Sequence, residues 1–198
     1  MKKISVILTV MALAASAFAV EIGKPAPNFT ATDINGKTVH LSDFKGKIVV
    51  IESYNSDCPY CNNQYKTGAM QDLQKDLAAK GVVWLLVNSV NPNNPSHRTD
   101  DQAKAEMARE NMDITAWLDD SSGAVGHLYG METTPHMFVI NKKGKLVYDG
   151  AIDDQADPFH NPKTARNYVR EAVDDLLAHK PIAVSQTKPY GCSVKYAE

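Results

Sequence analysis

Two of the three cysteines in this 198-residue chain are separated by only two residues, in the motif Cys58-Pro59-Tyr60-Cys61. The motif follows an apolar run and opens a predicted helix. Cys58 therefore lies at the helix N-terminus, where free backbone N–H groups and the helix dipole stabilise a thiolate. Pro59 suits the first helical position because its missing N–H is not needed there. Cys61 lies one turn further on, close enough to close a disulfide with Cys58, so the motif predicts a dithiol/disulfide redox centre.

A Cys-x-x-Cys pair has two other common uses, and both stay open at this point. It can supply half of a tetrahedral zinc site, but the chain offers only one other cysteine, Cys192, and no second paired cluster of ligands. It can also be a purely structural disulfide, although so short a loop restrains the unfolded chain very little. We therefore favour the redox centre and expect neither a metal nor a cofactor.

The elements that must hold this motif alternate between strands and helices. Residues 48–54 are apolar at nearly every position, which suits a central strand covered on both faces. Apolar residues recur at helical spacing over residues 59–80, and Gly81 predicts the end of that helix. Residues 82–87 form a second predicted buried strand. The order strand–helix–strand implies a parallel pair joined by a right-handed crossover.

Weaker patterns lie on either side of this unit. Asn35-Gly36 predicts a hairpin between two short strands at residues 29–33 and 38–41. Residues 137–140 and 145–148 are predicted to form a later pair of strands, and a turn-forming stretch between them makes that pair antiparallel.

The C-terminal part of the chain is predicted to be a helix followed by a tail. Asn161-Pro162 predicts an N-cap and first-turn proline for an amphipathic helix that Pro181 ends. Residues 182–198 have no strong period. Paired acids are expected on solvated turns or helix faces, at Asp119-Asp120, Asp153-Asp154 and Asp174-Asp175.

Residues 1–19 have the pattern of a secretory signal peptide. Lys2 and Lys3 give a basic start, residues 4–15 are apolar, and Ala17-Phe18-Ala19 is a small-x-small cleavage site. The apolar stretch is too short to span a membrane comfortably, and no later stretch is long and apolar enough. We expect an exported protein of the bacterial periplasm whose mature form does not span the membrane. The formal net charge of −2 and the lack of a basic stripe argue against a nucleic-acid partner.

Three stretches resemble the thioredoxin-fold superfamily, and within it the redoxin branch that includes exported TlpA-like reductases and peroxiredoxins. They are the lead-in Leu41-Ser42-Asp43-Phe44-Lys45-Gly46-Lys47, the Cys-Pro-Tyr-Cys centre and Thr134-Pro135 before a strand. The resemblance covers residues 22–180. It implies an α/β, thioredoxin-like three-layer fold, in which helices flank a central mixed β-sheet with an N-terminal β-hairpin. The mature chain would consist of a domain, residues 20–181, and a C-terminal tail, residues 182–198, packed on or near it.

The same resemblance implies roles for residues around the dithiol. Thr134-Pro135 resembles the cis-proline loop that lies beside the disulfide in this superfamily. Pro135 is therefore expected to be catalytic, and Thr134 and His136 to bind substrate. Pro59 and Tyr60, between the two cysteines, are expected to contact substrate as well. For His136, an ordinary polar position and a metal-ligand role stay open as alternatives.

Glu52 stands six residues before Cys58, inside the apolar strand. In thioredoxin-like proteins this position often carries a buried acid behind the disulfide. A buried carboxyl has a raised pKa and can exchange protons with the inner thiol, here Cys61. We predict that role for Glu52. The alternative is a glutamate at a strand edge that points to water.

Departures from the relatives weigh against peroxide chemistry. The proline and threonine that precede the reactive cysteine of peroxiredoxins would fall at Tyr54 and Cys58, and their peroxide-orienting arginine near Pro135, so all three are absent. Copper-delivering relatives usually have Cys-x3-Cys, one residue longer than the spacing here. A thiol peroxidase and a non-enzymatic redox or metal-binding module therefore stay as alternatives only.

These inferences predict an enzyme, an exported thiol–disulfide oxidoreductase. Cys58 is expected to be the exposed thiol of low pKa that attacks a substrate disulfide, and Cys61 to resolve the mixed disulfide. The expected partners are disulfide-bearing proteins and a thiol electron donor or acceptor. Cys192, in the tail, could be a third redox thiol, a buried small hydrophobe or an intermolecular partner. The buried role is favoured because Cys58 and Cys61 already suffice for exchange.

Overall fold

The computed structural model describes residues 20–197; the predicted signal peptide, residues 1–19, lies outside the described residues. Strands and helices alternate along most of this part of the chain. Within it, none of the helices has the length and apolar surface that a membrane span requires. The elements in chain order are β1 (Thr30–Asp33), β2 (Thr38–His40), a 3-10 helix (Leu41–Phe44), β3 (Val49–Ser53), α1 (Pro59–Lys66), α2 (Ala69–Ala79), β4 (Val83–Asn88), α3 (Asp100–Arg109), β5 (Ala116–Asp119), α4 (Ala124–Tyr129), β6 (Thr133–Thr134), β7 (His136–Ile140), β8 (Leu146–Gly150), α5 (Tyr168–Leu177) and β9 (Cys192–Ser193).

Seven strands of residues 20–197 form one mixed sheet, in the order β2-β1-β5-β4-β3-β7-β8. The central strands β3, β4 and β5 run parallel, and the outer strands pair antiparallel. Every residue of β3 and β4 is buried, as expected for strands covered on both faces. The predicted N-terminal hairpin, the parallel pair and the later antiparallel pair are therefore confirmed.

Helices cover both faces of the sheet and produce three layers. On one face, α2 and α5 contribute Leu73 and Val173 to a core that also contains both cysteines of the motif. On the other face, α4 contributes Val125 and Tyr129, and the Tyr129 ring packs edge-on against Phe138. The fold is the predicted α/β arrangement, a central mixed sheet flanked by helices. Because side chains alternate along each strand, buried residues of the central strands face either the layer that contains the dithiol or the opposite layer.

The helix predicted over residues 59–80 is two helices, α1 and α2. Gly68 separates them with a φ of +77°, in the left-handed region that favours glycine. The Thr67 hydroxyl donates to the carbonyl of Asn63 at 2.8 Å, which helps to terminate the first helix. The prediction missed this break because the apolar residues keep their helical spacing across it.

The start of the last helix was also predicted wrongly. α5 begins at Tyr168, with Asn167 as its N-cap, and not at Asn161-Pro162. The Asn167 side chain accepts a hydrogen bond from the backbone N–H of Arg170 at 2.8 Å, which satisfies one of the free donors of the first turn.

Two of the paired acids, Asp120 and Asp153, are buried rather than solvated. Asp120 accepts hydrogen bonds from the backbone N–H groups of Val125 and Gly126, in the first turn of α4. Asp153 accepts from the side-chain amide of Gln64 at 2.7 Å. Each buried carboxylate therefore has the partners that burial requires.

Candidate active site

The turn after β3 places Cys58 at the start of α1. The chain leaves β3 at Ser53 and turns at Asn55, whose side chain accepts from the N–H of Asp57 at 2.9 Å. The carbonyl of Asn55 accepts from the Cys58 N–H at 3.1 Å. Cys58 is consequently the residue that caps α1, and Pro59 is the first helical residue. The placement predicted from the sequence is confirmed.

Cys61 and Thr134 surround the Cys58 thiol. When protonated, its Sγ donates to the carbonyl of Thr134 at 2.8 Å. Hydrogen bonds from the Cys61 thiol and then from the Thr134 side chain stabilise the thiolate and lower the pKa of Cys58 to about 4, although burial opposes them. The Thr134 hydroxyl is buried and has no hydrogen-bond partner among residues 20–197, so it is available to donate to the thiolate. A lowered thiol pKa is what a nucleophilic cysteine needs at neutral pH.

Cys61 is the inner thiol and is completely buried. Burial, the neighbouring Cys58 and the charge of Glu52 all raise the pKa of Cys61 well above its ordinary value. The two thiols of the motif are therefore unlike each other. One is ionised at neutral pH, and the other holds its proton.

Glu52 is held in the core by two hydrogen-bond donors. Trp84 Nε1 donates to one carboxyl oxygen at 2.8 Å, and the Tyr65 hydroxyl donates at 3.0 Å. Burial outweighs these donors and raises the pKa of Glu52 to about 7. The alternative of a glutamate pointing to water is wrong, because the side chain is fully buried. The charge of Glu52 in turn raises the pKa of the Cys61 thiol.

The contacts of Tyr65 and Trp84 with Glu52 are not predicted by the sequence patterns. Tyr65 stands four residues after Cys61, one helical turn along α1, so the spacing places both on one helix face. Trp84 lies opposite Val50 in the parallel pair of β3 and β4, on the sheet face that Glu52 shares. The Trp84 indole reaches the Glu52 carboxyl only because of the register between β3 and β4.

The loop before β7 supplies the second side of the site. The Thr134–Pro135 bond is cis, as predicted. β7 pairs with β3 and sets Met137 opposite Glu52, so the loop lies at the same end of the sheet as the turn that carries Cys58. The structure therefore brings the dithiol, Glu52 and the Thr134–Pro135 loop together.

His136 lies on the opposite face of the sheet from the dithiol. Strand alternation places Met137 in the core that contains the dithiol, whereas the His136 ring stacks on Phe138 with the ring centroids 4.4 Å apart. Its Nε2 lies 2.7 Å from a carboxyl oxygen of Asp149, and its Nδ1 accepts from the N–H of Glu132 at 3.2 Å. The structure does not bring His136 to the dithiol; its contacts are those of a satisfied polar residue in the core.

The C-terminal tail lies over the dithiol. β9 pairs antiparallel with β6 and sets Cys192 opposite Thr134. The Tyr190 ring packs against Tyr60 with the centroids 5.7 Å apart. Burial and the neighbouring Cys58 raise the pKa of Cys192 to about 12. Cys192 is thus a half-buried thiol next to the redox centre, and not a hydrophobe buried elsewhere.

The position of the tail corrects the prediction of an exposed Cys58. Its side chain is acidic, as predicted, but only 1% of the residue is exposed. Pro59 is exposed and Tyr60 is half-buried beside it. The prediction failed because exposure was inferred from the helix terminus alone, without knowing which segment covers it.

Among residues 20–197, no group of three or more His, Cys, Asp or Glu side chains is arranged to hold a metal ion. The three cysteines carry free thiols. The chemistry that the site offers lies in these thiols and in the carboxyl of Glu52.

A three-layer α/β fold with a dithiol at the start of α1, beside a cis-proline loop, defines a thiol–disulfide oxidoreductase of the thioredoxin-fold class. A family model described as Redoxin matches residues 21–168. The chain belongs to the redoxin family.

Individual relatives agree with this assignment. Thiol-disulfide oxidoreductase ResA of Bacillus thuringiensis subsp. konkukian (strain 97-27) is 30% identical over 129 residues, which cover 65% of this chain and 69% of that protein. A solved structure of a hypothetical protein from Sinorhizobium meliloti 1021 has a TM-score of 0.80 at 24% identity, covering 91% of this chain and 97% of that one. A putative thiol:disulfide interchange protein DsbE from Chlorobium tepidum has a TM-score of 0.57 at 22% identity, covering 81% and 98%. The structures support the fold, and ResA supports the activity.

Proposed function

We propose that this protein is exported and exchanges disulfides with protein substrates through Cys58 and Cys61. The observation that carries the proposal is the asymmetry of the dithiol. The pKa of Cys58 is lowered to about 4, whereas that of Cys61 is raised. An attacking thiol must be ionised at ambient pH, and an inner thiol that stays protonated does not compete with it. Similarity to a thiol–disulfide oxidoreductase supports this use of the pair.

In the first step, the Cys58 thiolate attacks one sulfur of a substrate disulfide. A bond forms between Cys58 Sγ and that sulfur, and the substrate disulfide breaks. The second substrate sulfur leaves as a thiolate and takes a proton from solvent. The product is a mixed disulfide between Cys58 and the substrate.

In the second step, Cys61 attacks Cys58 Sγ. The mixed disulfide no longer contains the Cys58 thiolate, so one cause of the raised pKa of Cys61 is gone. Glu52, whose pKa is about 7, takes up the Cys61 proton. The Cys58–Cys61 disulfide forms as the bond between Cys58 Sγ and the substrate sulfur breaks. That sulfur leaves as a thiolate and takes a proton from solvent, so the substrate disulfide has been reduced by two electrons and the Cys58–Cys61 dithiol oxidised by two. The reverse sequence oxidises a substrate dithiol, and a thiol electron donor or acceptor restores the starting state.

The residues around Cys58 form the proposed contact surface for the substrate. Pro59 and Tyr60 flank the thiol on the helix side, with Pro59 exposed. Thr134 contacts Cys58 Sγ through its carbonyl, and Pro135 follows directly and shapes the loop. An extended substrate segment can pair with the backbone of this loop as an added strand.

Export is supported by the leader. Residues 1–19 combine a basic start, an apolar stretch and a small-x-small site. A dithiol that exchanges disulfides also suits an oxidising compartment. We assign the mature protein to the bacterial periplasm, which cell fractionation with and without residues 1–19 would test.

The activity is tested by reduction of insulin with dithiothreitol as the electron source. We expect the wild type and Cys192→Ser to turn over, and Cys58→Ser to lose turnover. The double variant Cys61→Ser/Cys192→Ser should stop at the mixed disulfide, because neither of the other two thiols is left to attack it. Full activity of Cys58→Ser would contradict the proposal. Hydrogen peroxide consumed faster than insulin is reduced would move the assignment to a thiol peroxidase.

A further inference from the structure

The tail is held over Cys58 by specific contacts at both of its ends. The side-chain amide of Asn91 donates to the carbonyl of Tyr196 at 3.0 Å, and the Tyr196 hydroxyl donates to the carbonyl of Met131 at 2.8 Å. At the other end, the Tyr190 hydroxyl donates to the buried carboxyl of Asp153. β9 lies between these anchors. The segment is therefore a built part of the fold and not a loosely packed terminus.

The tail occupies the surface beside Cys58 and β6 to which a protein substrate would have to bind. The substrate sulfur must reach Cys58 Sγ, which lies 2.8 Å from the carbonyl of Thr134. An extended segment that passes Thr134 would bind by pairing with the edge of β6, because main-chain hydrogen bonds supply the affinity of an added strand. β9 already pairs with that edge, and Cys192 stands opposite Thr134. Cys58 is only 1% exposed in this arrangement.

We propose that residues 190–196, the tail segment, are an internal substrate strand that a protein substrate must displace, and that the substrate then presents its own cysteine at the position of Cys192. This inference rests on the proposed disulfide exchange at Cys58. The tail segment thereby defines the substrate class. The expected substrate has an extended segment in which a cysteine follows a glycine, as Cys192 follows Gly191. An aromatic residue precedes that glycine and packs on Tyr60, as Tyr190 does.

The requirement for glycine follows from the close approach of Gly191 to the backbone of Thr134. Gly191 has a φ of +146°, which L side chains rarely adopt. A Cβ at this position would lie 2.2 Å from the carbonyl oxygen of Thr134 and 2.7 Å from its carbon. Those atoms belong to the backbone of the loop that contacts Cys58 and cannot yield as a flexible side chain would. A residue larger than glycine therefore cannot lie this close to the Thr134 backbone while the next two residues pair with β6.

The first test uses Gly191→Ala in the full chain, with Gly144→Ala as the matched control. Gly144 also has a positive φ, +73°, but nothing lies within 4 Å of its added Cβ. Gly191→Ala should release the tail and raise both the alkylation rate of Cys58 and the rate of insulin reduction by about tenfold or more, since a closed site lowers the apparent rate by its open fraction. Gly144→Ala should keep wild-type rates.

The outcomes of this test separate the two proposals. Equal alkylation rates for Gly191→Ala and the control, with insulin still reduced, would overturn the tail proposal and leave disulfide exchange intact. Faster alkylation with no insulin reduction by any variant would support the displaced tail and overturn the proposed function. If Gly191→Ala does not fold, Asn91→Ala removes an anchor of Tyr196 instead and should raise the alkylation rate.

A second test concerns the position of Cys192. In Cys61→Ser, glutathione disulfide is attacked by the Cys58 thiolate, which forms Cys58–glutathione and releases one glutathione. Cys192 then attacks Cys58 Sγ, and the bond between Cys58 Sγ and the glutathione sulfur breaks. The second glutathione leaves with the proton of Cys192. We expect a Cys58–Cys192 disulfide by peptide mapping, and its loss when Gly191→Ala is added. A stable Cys58–glutathione adduct in Cys61→Ser would contradict the assigned position.

A third test addresses the substrate class. Peptides of residues 188–194, activated as mixed disulfides at Cys192, are offered to Gly191→Ala protein. The peptide with the native glycine should react about tenfold faster or more than the same peptide carrying Gly191→Ala, because only the former can approach Thr134 closely. Equal rates would overturn the glycine requirement.

Discussion

Trp84 donates a hydrogen bond of 2.8 Å to Glu52 inside the core, on the sheet face that carries the dithiol. The indole and the Tyr65 hydroxyl hold the carboxyl in place but do not compensate for its burial, and the pKa of Glu52 stands at about 7. The carboxyl is therefore divided between its two protonation states at the pH where thiols exchange. Glu52, a residue of β3, can thus influence the protonation of the Cys61 thiol.

Glu52→Gln should slow the resolution of the mixed disulfide by about tenfold or more at pH 7 to 8, because a general base contributes a factor of this order or larger. The amide cannot take the proton of Cys61. Quenched-flow analysis of mixed-disulfide decay measures this step directly. Alkylation of Cys58 is the internal control and should be unchanged. An unaltered decay rate from pH 5 to 9 would leave Glu52 with a structural role only.

Glu52→Gln should also change how stability depends on pH. Burial raises the folded-state pKa of Glu52 from 4.5 to about 7, so its contribution is fully present below pH 4.5 and is lost as the pH rises through 7. The wild type should lose on the order of 3 kcal/mol over this window relative to the variant. Urea unfolding of the reduced proteins at pH 4.5 and 8 measures the difference. Glu21→Gln, at an exposed position, should follow the wild type; parallel curves for all three proteins would refute the effect.

The acidity of Cys58 gives a pH profile that can be measured. Its alkylation rate should be nearly constant at neutral pH and fall with a midpoint near pH 4. Thr134→Val removes the hydroxyl at nearly constant volume and should move this midpoint upward, because the Thr134 side chain stabilises the thiolate. Iodoacetamide labelling with peptide mapping gives both values. A midpoint in the ordinary thiol range of about 8 to 9, or labelling of Cys61 first, would contradict the assigned roles.

His136 provides a contrast, since it lies on the other face of the sheet. His136→Gln should destabilise the fold by about 1 to 2 kcal/mol, because it disturbs the buried contacts with Asp149 and the N–H of Glu132. The kcat/KM for insulin reduction should stay within about twofold of the wild type. Denaturant unfolding and the insulin assay measure the two quantities. A large rise in KM with unchanged stability would instead place His136 in substrate binding.

The sequence was sufficient for the parts of the fold that local patterns determine. The apolar run that became β3, the Asn35-Gly36 hairpin and the position of Cys58 at a helix start all follow from spacing and residue type. The break at Gly68 did not, since apolar periodicity continues across it.

The parts that could not be predicted depend on tertiary register. β9 is only two residues long, and nothing within residues 190–196 indicates that it pairs with β6. The tail covers Cys58 because several separate contacts add together, including that of Tyr190 with Asp153. The meeting of Trp84 with Glu52 has the same cause, because sheet pairing and not chain spacing brings them together.

The central claim is that Cys58 attacks and Cys61 resolves. The most direct measurement is to react the reduced Cys61→Ser/Cys192→Ser, Cys58→Ser and Cys192→Ser proteins with a protein disulfide, quench with acid, and map the covalent complex by mass spectrometry. The account predicts that Cys61→Ser/Cys192→Ser accumulates a complex joined through Cys58, that Cys192→Ser resolves it as the wild type does, and that Cys58→Ser forms none. A complex joined through Cys61 or Cys192 in the Cys58→Ser protein, formed as fast as in Cys61→Ser/Cys192→Ser, would contradict the account.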